Sequence, residues 1–400
     1  MKRARTRNSI PECGMRNAEC DGAGPGQPNI GPVTPIRVMI VVTDLEVGGA
    51  PLHLLRLVRH LPRERYCIKI VSLAPEGPVA ADLRDAGVET AACGARSAAD
   101  LRALVRLTHM VRQWRPDILH GLLFHANLAV RLVAPLAGVP VGRVVCEIHT
   151  VEIERPWHLR LDKLTIGLCR VELGISEAVV RHLRHRAHIP PHRLAVVEGG
   201  IELEPLMSAK PISRAEIGVP DDVPMLLWVG RLDPVKGFEE LIAALAQLRA
   251  RRDIRLVLVG DGDYRPTVEA LIARHGVDEQ VMLLGARRDV PALMAAADIF
   301  VFPSYTEGLP TVLLEAMASG IPIVTTDVAG CRDIVTHGQT GLIVPPRNAK
   351  ALATAIETIL DEPDRAGRLV ETARRLVRER HGQTAVADRY DRLYRSILDP

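Results

Sequence analysis

Two series of short apolar, β-branched runs, alternating with segments of helical periodicity, constrain this chain more than any other feature. In the first series IRVMIVVTD (36–44), CIKIVSL (67–73), DILHGLL (117–123), VGRVVCEI (141–148) and RLAVVE (193–198) read as strands. LEVGGAPLHLLRLVRHLP and DLRALVRLTHMVRQW (100–114) read as helical connections between them. In the second series MLLWVG (225–230), IRLVLVGDG (254–262), VMLLG (281–285), DIFVFPS (298–304) and IPIVTTD (321–327) are strands. FEELIAALAQLRARR (238–252), PTVLLEAMASG (310–320) and NAKALATAIETIL (348–360) are helices. Short apolar runs without polar alternation are buried on both faces, as parallel strands covered by helices are. The repeated βα units predict two doubly wound α/β domains in tandem, with ligands bound beyond the carboxyl ends of the strands in a cleft between them. IELEPLMSAKPISRAEIGVPDD (201–222) has no strong period, and its first half is the expected linker.

Composition narrows the class. With 400 residues, 47% hydrophobic and 25% charged, the chain can fill two cores. A net charge of +3 and an aromatic content of 3% argue against a nucleic-acid binder. Seven cysteines at wide spacings, with no CxxC pair, fit free thiols in a reducing cytosol better than a disulfide framework or a zinc site. No apolar run reaches the ~18 residues of a membrane-spanning helix. The basic start of the chain lacks the apolar segment of a secretory signal, and its Gly, Pro and Asn content predicts a disordered tail.

Four groups of residues could carry chemistry. Arg231 and Lys236 lie in VGRLDPVKGFEEL (229–241), between a strand and a helix N-terminus, where guanidinium, ammonium and backbone N–H groups can gather a diphosphate. As solvated loop charges they would do nothing, and Asp233 caps the turn under either reading. YTEGLPTVLLEAMASGIP (305–322) holds Glu307 in a turn after a strand and Glu315 eight positions later in an apolar helix, with Pro310 at its first position or Thr311 as its cap. Val312, Leu313, Ala316 and Met317 are its expected buried stripe. Glu315 either complements the helix dipole or accepts the paired hydroxyls of a ribose. His120, His125 and His149 fall near the ends of strands facing the same cleft. Gly48-Gly49 makes a short loop suited to phosphate approach, without a GxGxxG or Walker pattern. Separately, RHLRHRAHIPPHR (181–193) holds four His and four Arg: a solvated helix face, or a basic patch for an anionic membrane or phosphorylated acceptor.

VGRLDPVKGFEELI, LVLVGDGDYRPTVEALI, EGLPTVLLEAMASGIPIVTT with its E-x7-E spacing, and GQTGLIVPPRNAKALATAI resemble, in this order, the signature segments of the family-4 retaining glycosyltransferases of GT-B fold. The likeness is nearly continuous over 225–360, and looser but in register from TDLEVGGAPLHLLRL through HGLLFHANLAVRLVAPLAGVP to GISEAVV.

The resemblance implies two Rossmann-like domains facing a central cleft: a tail over 1–35, an acceptor-side domain over 36–205, a nucleotide-sugar domain over 206–380, and a C-terminal helix over 381–400 crossing back to the first. It also implies roles. Arg231 and Lys236 would neutralise the donor diphosphate, Glu315 would bind the ribose and Glu307 the donor sugar. Gly308, Leu309, Pro310 and Thr311 would set backbone groups against phosphate and sugar. Gly48 and Gly49 would lie under the diphosphate and acceptor. His125, with His120 as rival, would touch the transferred sugar, giving a catalytic set of Glu307, His125, Arg231 and Lys236.

No metal or other cofactor is expected, because the cations replace it. The implied enzyme is a cytoplasmic hexosyltransferase, peripheral at the membrane's inner face, moving sugar from a UDP- or GDP-sugar to a saccharide or lipid-linked acceptor in cell-surface polysaccharide or glycolipid synthesis. The alternatives are a nucleotide-sugar 2-epimerase and a non-catalytic nucleotide-sugar-binding protein. Two departures touch the acceptor side: Pro51 stands where the family often has Glu, and Gly199-Gly200-Ile201-Glu202 lacks the usual Asn.

Overall fold

A computed structural model describes residues 34–97, 100–149 and 156–399. The expected tail lies almost entirely outside the described residues. The first sheet contains β1 (Ile36–Val42), β2 (Tyr66–Ser72), β3 (Glu89–Ala92), β4 (Ile118–Leu122), β5 (Val144–Ile148), β6 (Val171–Gly174) and β7 (Leu194–Val196). The second contains β8 (Met225–Val229), β9 (Arg255–Val259), β10 (Val281–Gly285), β11 (Ile299–Phe302), β12 (Ile323–Thr326) and β13 (Leu342–Val344). Both are wholly parallel among the described residues, in the orders β3-β2-β1-β4-β5-β6-β7 and β10-β9-β8-β11-β12-β13.

Period-two alternation assigns the faces. In β1, Val38, Ile40 and Val42 point to the core under helix Gly49–His60, and Met39 and Val41 to the core under helices Leu101–Trp114 and Phe124–Ala137. The second lobe closes around a larger core built on Trp228, Phe238, Phe300 and Phe302. Each sheet reverses its winding once, between β1 and β4 and between β8 and β11, and these are the switch points where α/β sheets open a crevice.

The chain crosses between lobes twice. Helix Pro363–His381 packs Leu369, Ala373 and Val377 on the second lobe, and helix Gln383–Leu398 returns Val386, Ala387, Tyr390 and Tyr394 to the first-lobe core. The two crossings touch: Ile201 N donates to His381 O at 2.9 Å, and His381 Nδ1 meets Gly199 O at 3.1 Å. A Cβ on Gly200 would collide with Val386 Cγ2 and His381 O, which gives that glycine a packing reason.

Several readings needed correction. Strands β3, β6 and β13 were not anticipated, because three or four residues carry too little periodicity to distinguish a strand from a loop. The helix expected over 310–320 begins at Thr311, with Pro310 just before it and no side-chain cap, so neither offered start holds. Its buried residues are Leu313, Leu314, Ala316, Met317 and Ala318; Leu314 replaces Val312 in the stripe.

Candidate active site

The second lobe's switch point is built by the segments after β8 and β11. Asp233 Oδ1 accepts Val235 N at 3.2 Å and folds the loop into a single helical turn, Pro234–Lys236. Gly237 then takes φ 72°, and a Cβ there would overlap the Pro303 carbonyl, so only glycine lets this loop lie against the end of β11. Lys236 Nζ is thereby brought over the Phe302 ring at 5.3 Å and within 2.6 Å of Glu307 Oε1. These side chains are 17% and 11% exposed, so the pair is largely shielded from water. Arg231 differs: its side chain is 77% exposed and donates to Asp233 Oδ2 at 3.0 Å.

The loop Gly308–Pro310 meets the other lobe. Ser176, which caps helix Glu177–Arg186, donates its hydroxyl to Gly308 O at 2.8 Å, and Leu309 packs, as Phe124 does, against the cluster that contains Ile175 and Val179. Glu315 lies 3.9 Å from Arg56 of helix Gly49–His60. Burial raises the Glu315 carboxyl above its ordinary range, and Arg56 opposes that shift. Arg181 of the basic cluster binds Asp333 at 2.7 Å across the cleft, and Arg193 donates to Cys169 O at 2.7 Å. Part of that cluster therefore joins the lobes or braces its own.

Across the cleft, Gly48 precedes helix Gly49–His60 with φ −169°, which any residue adopts, and a Cβ on Gly49 would meet nothing within 4 Å. Neither backbone conformation nor neighbouring protein accounts for the glycine pair, which leaves open space above the helix N-terminus. His125 stands in the first turn of helix Phe124–Ala137, half-buried beside Phe124 and His158. That helix is held by Arg131, fully buried, which pairs with Asp162 and Glu172 at 2.9 Å each. Asn127 clamps its start to β5, giving Nδ2–H to Glu147 O at 3.0 Å and accepting Glu147 N at 3.1 Å.

His120 is corrected by its burial. It is 1% exposed, with Nδ1 2.9 Å from Tyr394 Oη and Nε2 3.2 Å from Glu147, and is sealed away from the cleft. His149 is less deeply set, its Nε2 2.6 Å from Glu147 Oε1 and its ring edge-on to His53 at 5.1 Å.

Glu147 is the centre of a network that sequence reading missed. It accepts Tyr390 Oη at 2.8 Å on both oxygens, and Tyr390 Oη lies 3.1 Å from His53 Nε2. Burial works to raise the Glu147 carboxyl, yet His149 and His120 hold it well below its ordinary range. Burial, with His149 next, pushes His53 down to about 3, so it stays neutral. His53, Glu147 and His149 each bring one potential metal-ligand atom within 4.8 Å of the others, and all three residues hydrogen-bond inside the network. A Glu inside VVCEI and a Tyr ~240 residues later give no local signal; only the return of the last helix joins them.

The description "Glycosyltransferase Family 4" matches residues 47–205, and "Glycosyl transferases group 1" matches 209–376. The chain is 34% identical over 281 residues to an alpha-D-kanosaminyltransferase of Streptomyces kanamyceticus, covering 66% of this chain and 73% of that one. It is 33% identical over 325 residues to a D-inositol 3-phosphate glycosyltransferase of Thermobispora bispora, covering 75% of each. In fold it resembles Anabaena HepE in complex with UDP, with a TM-score of 0.79, 22% identity, and coverage of 90% of this chain and all of that one. Among the described residues no helix is long and apolar enough to cross a membrane. With both lobes matched in order and each strand-end cluster at its sheet's switch point, the chain belongs to the family 4 glycosyltransferases and is a GT-B nucleotide-sugar glycosyltransferase of the hexosyltransferase class.

Proposed function

We propose that Lys236 and Arg231 receive the donor diphosphate, that Glu307 and Glu315 accept hydroxyls of the donor sugar and ribose, and that transfer proceeds with retention. The observation that carries this reading is the 2.6 Å Lys236–Glu307 pair at the β8/β11 switch point. Phosphate oxygens would compete with the carboxylate for Lys236, and sugar hydroxyls would donate to the oxygens thus released. Arg231 is exposed and turns from Asp233 to the diphosphate. Gly48, Gly49 and the backbone of Gly308, Leu309, Pro310 and Thr311 form the surrounding surface, and His125 faces the transferred sugar. His149 anchors the acceptor side from the Glu147 network.

As the acceptor oxygen bonds to the anomeric carbon, the bond from that carbon to the diphosphate breaks. The electron pair leaves on the phosphate oxygen, and the hydroxyl proton ends on the departing diphosphate. Lys236 and Arg231 stabilise the charge that develops there, the kind of electrostatic term that usually dominates. Both bring positive charge to the leaving group, so no metal is needed in this reading.

Incubation with UDP- and GDP-sugars tests it. Proton spectra of the product should show the donor's anomeric configuration, and EDTA should leave the rate unchanged. An inverted product contradicts retention. Loss of rate with EDTA, restored by a divalent cation, would contradict the metal-free reading and direct attention to His53, Glu147 and His149.

A further inference from the structure

The segments leaving the carboxyl ends of β1 to β4 line an open cavity of about 300 Å³ in the first lobe. Its floor and walls are apolar: Leu73 and Ala74 after β2, Ala103 and Leu104 of helix Leu101–Trp114, and Leu128 and Ala129 of helix Phe124–Ala137. Polar groups also line it: Thr43 after β1, Arg96 and Ser97 after β3, Asp100 and His125.

The cavity adjoins the donor side, because His125 follows Phe124, and Phe124 packs in the same cluster as Leu309 of the Glu307 loop. The helices that wall it leave Leu101 72%, Val105 70%, Leu132 41% and Leu136 61% exposed. Spaced four apart on each helix, these residues form one exposed stripe per helix, and grouped apolar surface marks a binding face. A polyhydroxylated acceptor alone would leave this lining without a partner, whereas an amphiphile matches both parts.

We infer that this cavity receives the hydrocarbon body of the acceptor, so that the enzyme glycosylates a hydroxyl carried by an apolar group. The inference rests on the proposed division of donor and acceptor between the lobes. The hydrocarbon is either that of a soluble aglycone or that of a lipid-borne acceptor, and the chemistry in the cavity is the same.

Calorimetry with the full chain and methyl, hexyl and octyl glucosides, each below its micelle concentration, tests it. Each methylene that enters the cavity tightens binding about threefold, so octyl glucoside binds at least about tenfold tighter than methyl glucoside. Leu128→Asn and Leu104→Gln remove most of that gain. Leu132→Glu, on the exposed helix surface, removes part of it and guards against misfolding of the other two. UDP and GDP titrated into the same samples keep wild-type affinity in all three variants.

Flotation with phosphatidylglycerol vesicles separates the sources: binding lost in Leu132→Glu assigns the hydrocarbon to a membrane-borne acceptor, and chain-length dependence without vesicle binding assigns it to a soluble aglycone. Equal affinity for all three glucosides in protein that binds a nucleotide overturns the inference and leaves the donor reading intact. Chain-length dependence in protein that binds no nucleotide overturns the donor reading instead.

Discussion

Glu147 and Glu307 lie near the switch points of their respective sheets, and the protein treats them in opposite ways. Glu147 is 1% exposed and satisfied from every side by Tyr390, His149 and His120. Glu307 has one strong partner, Lys236, in a loop at the interlobe cleft. A carboxylate enclosed by several donors holds structure together; a carboxylate with a single cationic partner can exchange that partner for a ligand. Under the proposed function, the difference fits the N-terminal cluster to docking the last helix and the C-terminal cluster to chemistry.

The largest expected effect is on turnover. Lys236→Ala should lower kcat/KM by about a hundredfold or more, the loss of a shielded charge-assisted contact in the transition state. Arg231→Ala should cost about tenfold or less, since an exposed guanidinium is screened and water can replace it. Equal losses would break the distinction between a shielded cation and an exposed one.

Stability comes next. Glu147→Gln should reduce unfolding free energy by about 2–4 kcal/mol, because it breaks a buried charged network. Glu307→Gln should cost less, about 1–2 kcal/mol, because the amide oxygen still gives the shielded Lys236 a partner, while turnover falls sharply. Thermal denaturation and kinetics on the same samples decide this, and the comparison fails if the two substitutions exchange phenotypes.

A smaller effect appears in the acid limb of the stability curve. His53 falls to about 3 when folded, below its ordinary 6.5, so the unfolded chain takes up that proton first and stability declines as pH drops from 6.5 towards 3. Glu147, also depressed, contributes stability that is present above its ordinary value and lost as pH falls through its folded one. His53→Gln should therefore flatten the slope between pH 6.5 and 4.5 by up to about 1.4 kcal/mol per pH unit. An unchanged slope would remove His53 from the buried network. The smallest change is expected for Arg56→Ala: at 3.9 Å and partly exposed, its pair with Glu315 should alter nucleotide affinity by about threefold or less.

Much of this was legible in the residues. Apolar runs such as MLLWVG and DIFVFPS identify buried parallel strands because a parallel sheet tolerates few polar side chains, and Arg231, Lys236 and Glu307 announce themselves by standing just past such runs. VELG and LIV were too short to be read. His120 looked like a cleft residue because strand position gives depth along the sheet and nothing about what later covers it; Tyr394, far along the chain, is what buries it. Arg56 and Ser176 were missed for the same reason, since their partners Glu315 and Gly308 belong to the other lobe. Local pattern reports the element a residue occupies, and contacts between lobes arise only when the whole chain has closed.

The central claim is that the β8/β11 switch point binds a nucleoside diphosphate through Lys236 and Arg231. Calorimetric titration of UDP, GDP and the corresponding monophosphates into the wild type and Lys236→Ala/Arg231→Ala measures it directly. The account predicts that one diphosphate binds the wild type and loses about thirtyfold or more in the double variant, with its monophosphate losing about threefold or less. Diphosphate affinity unchanged by the double substitution would contradict it.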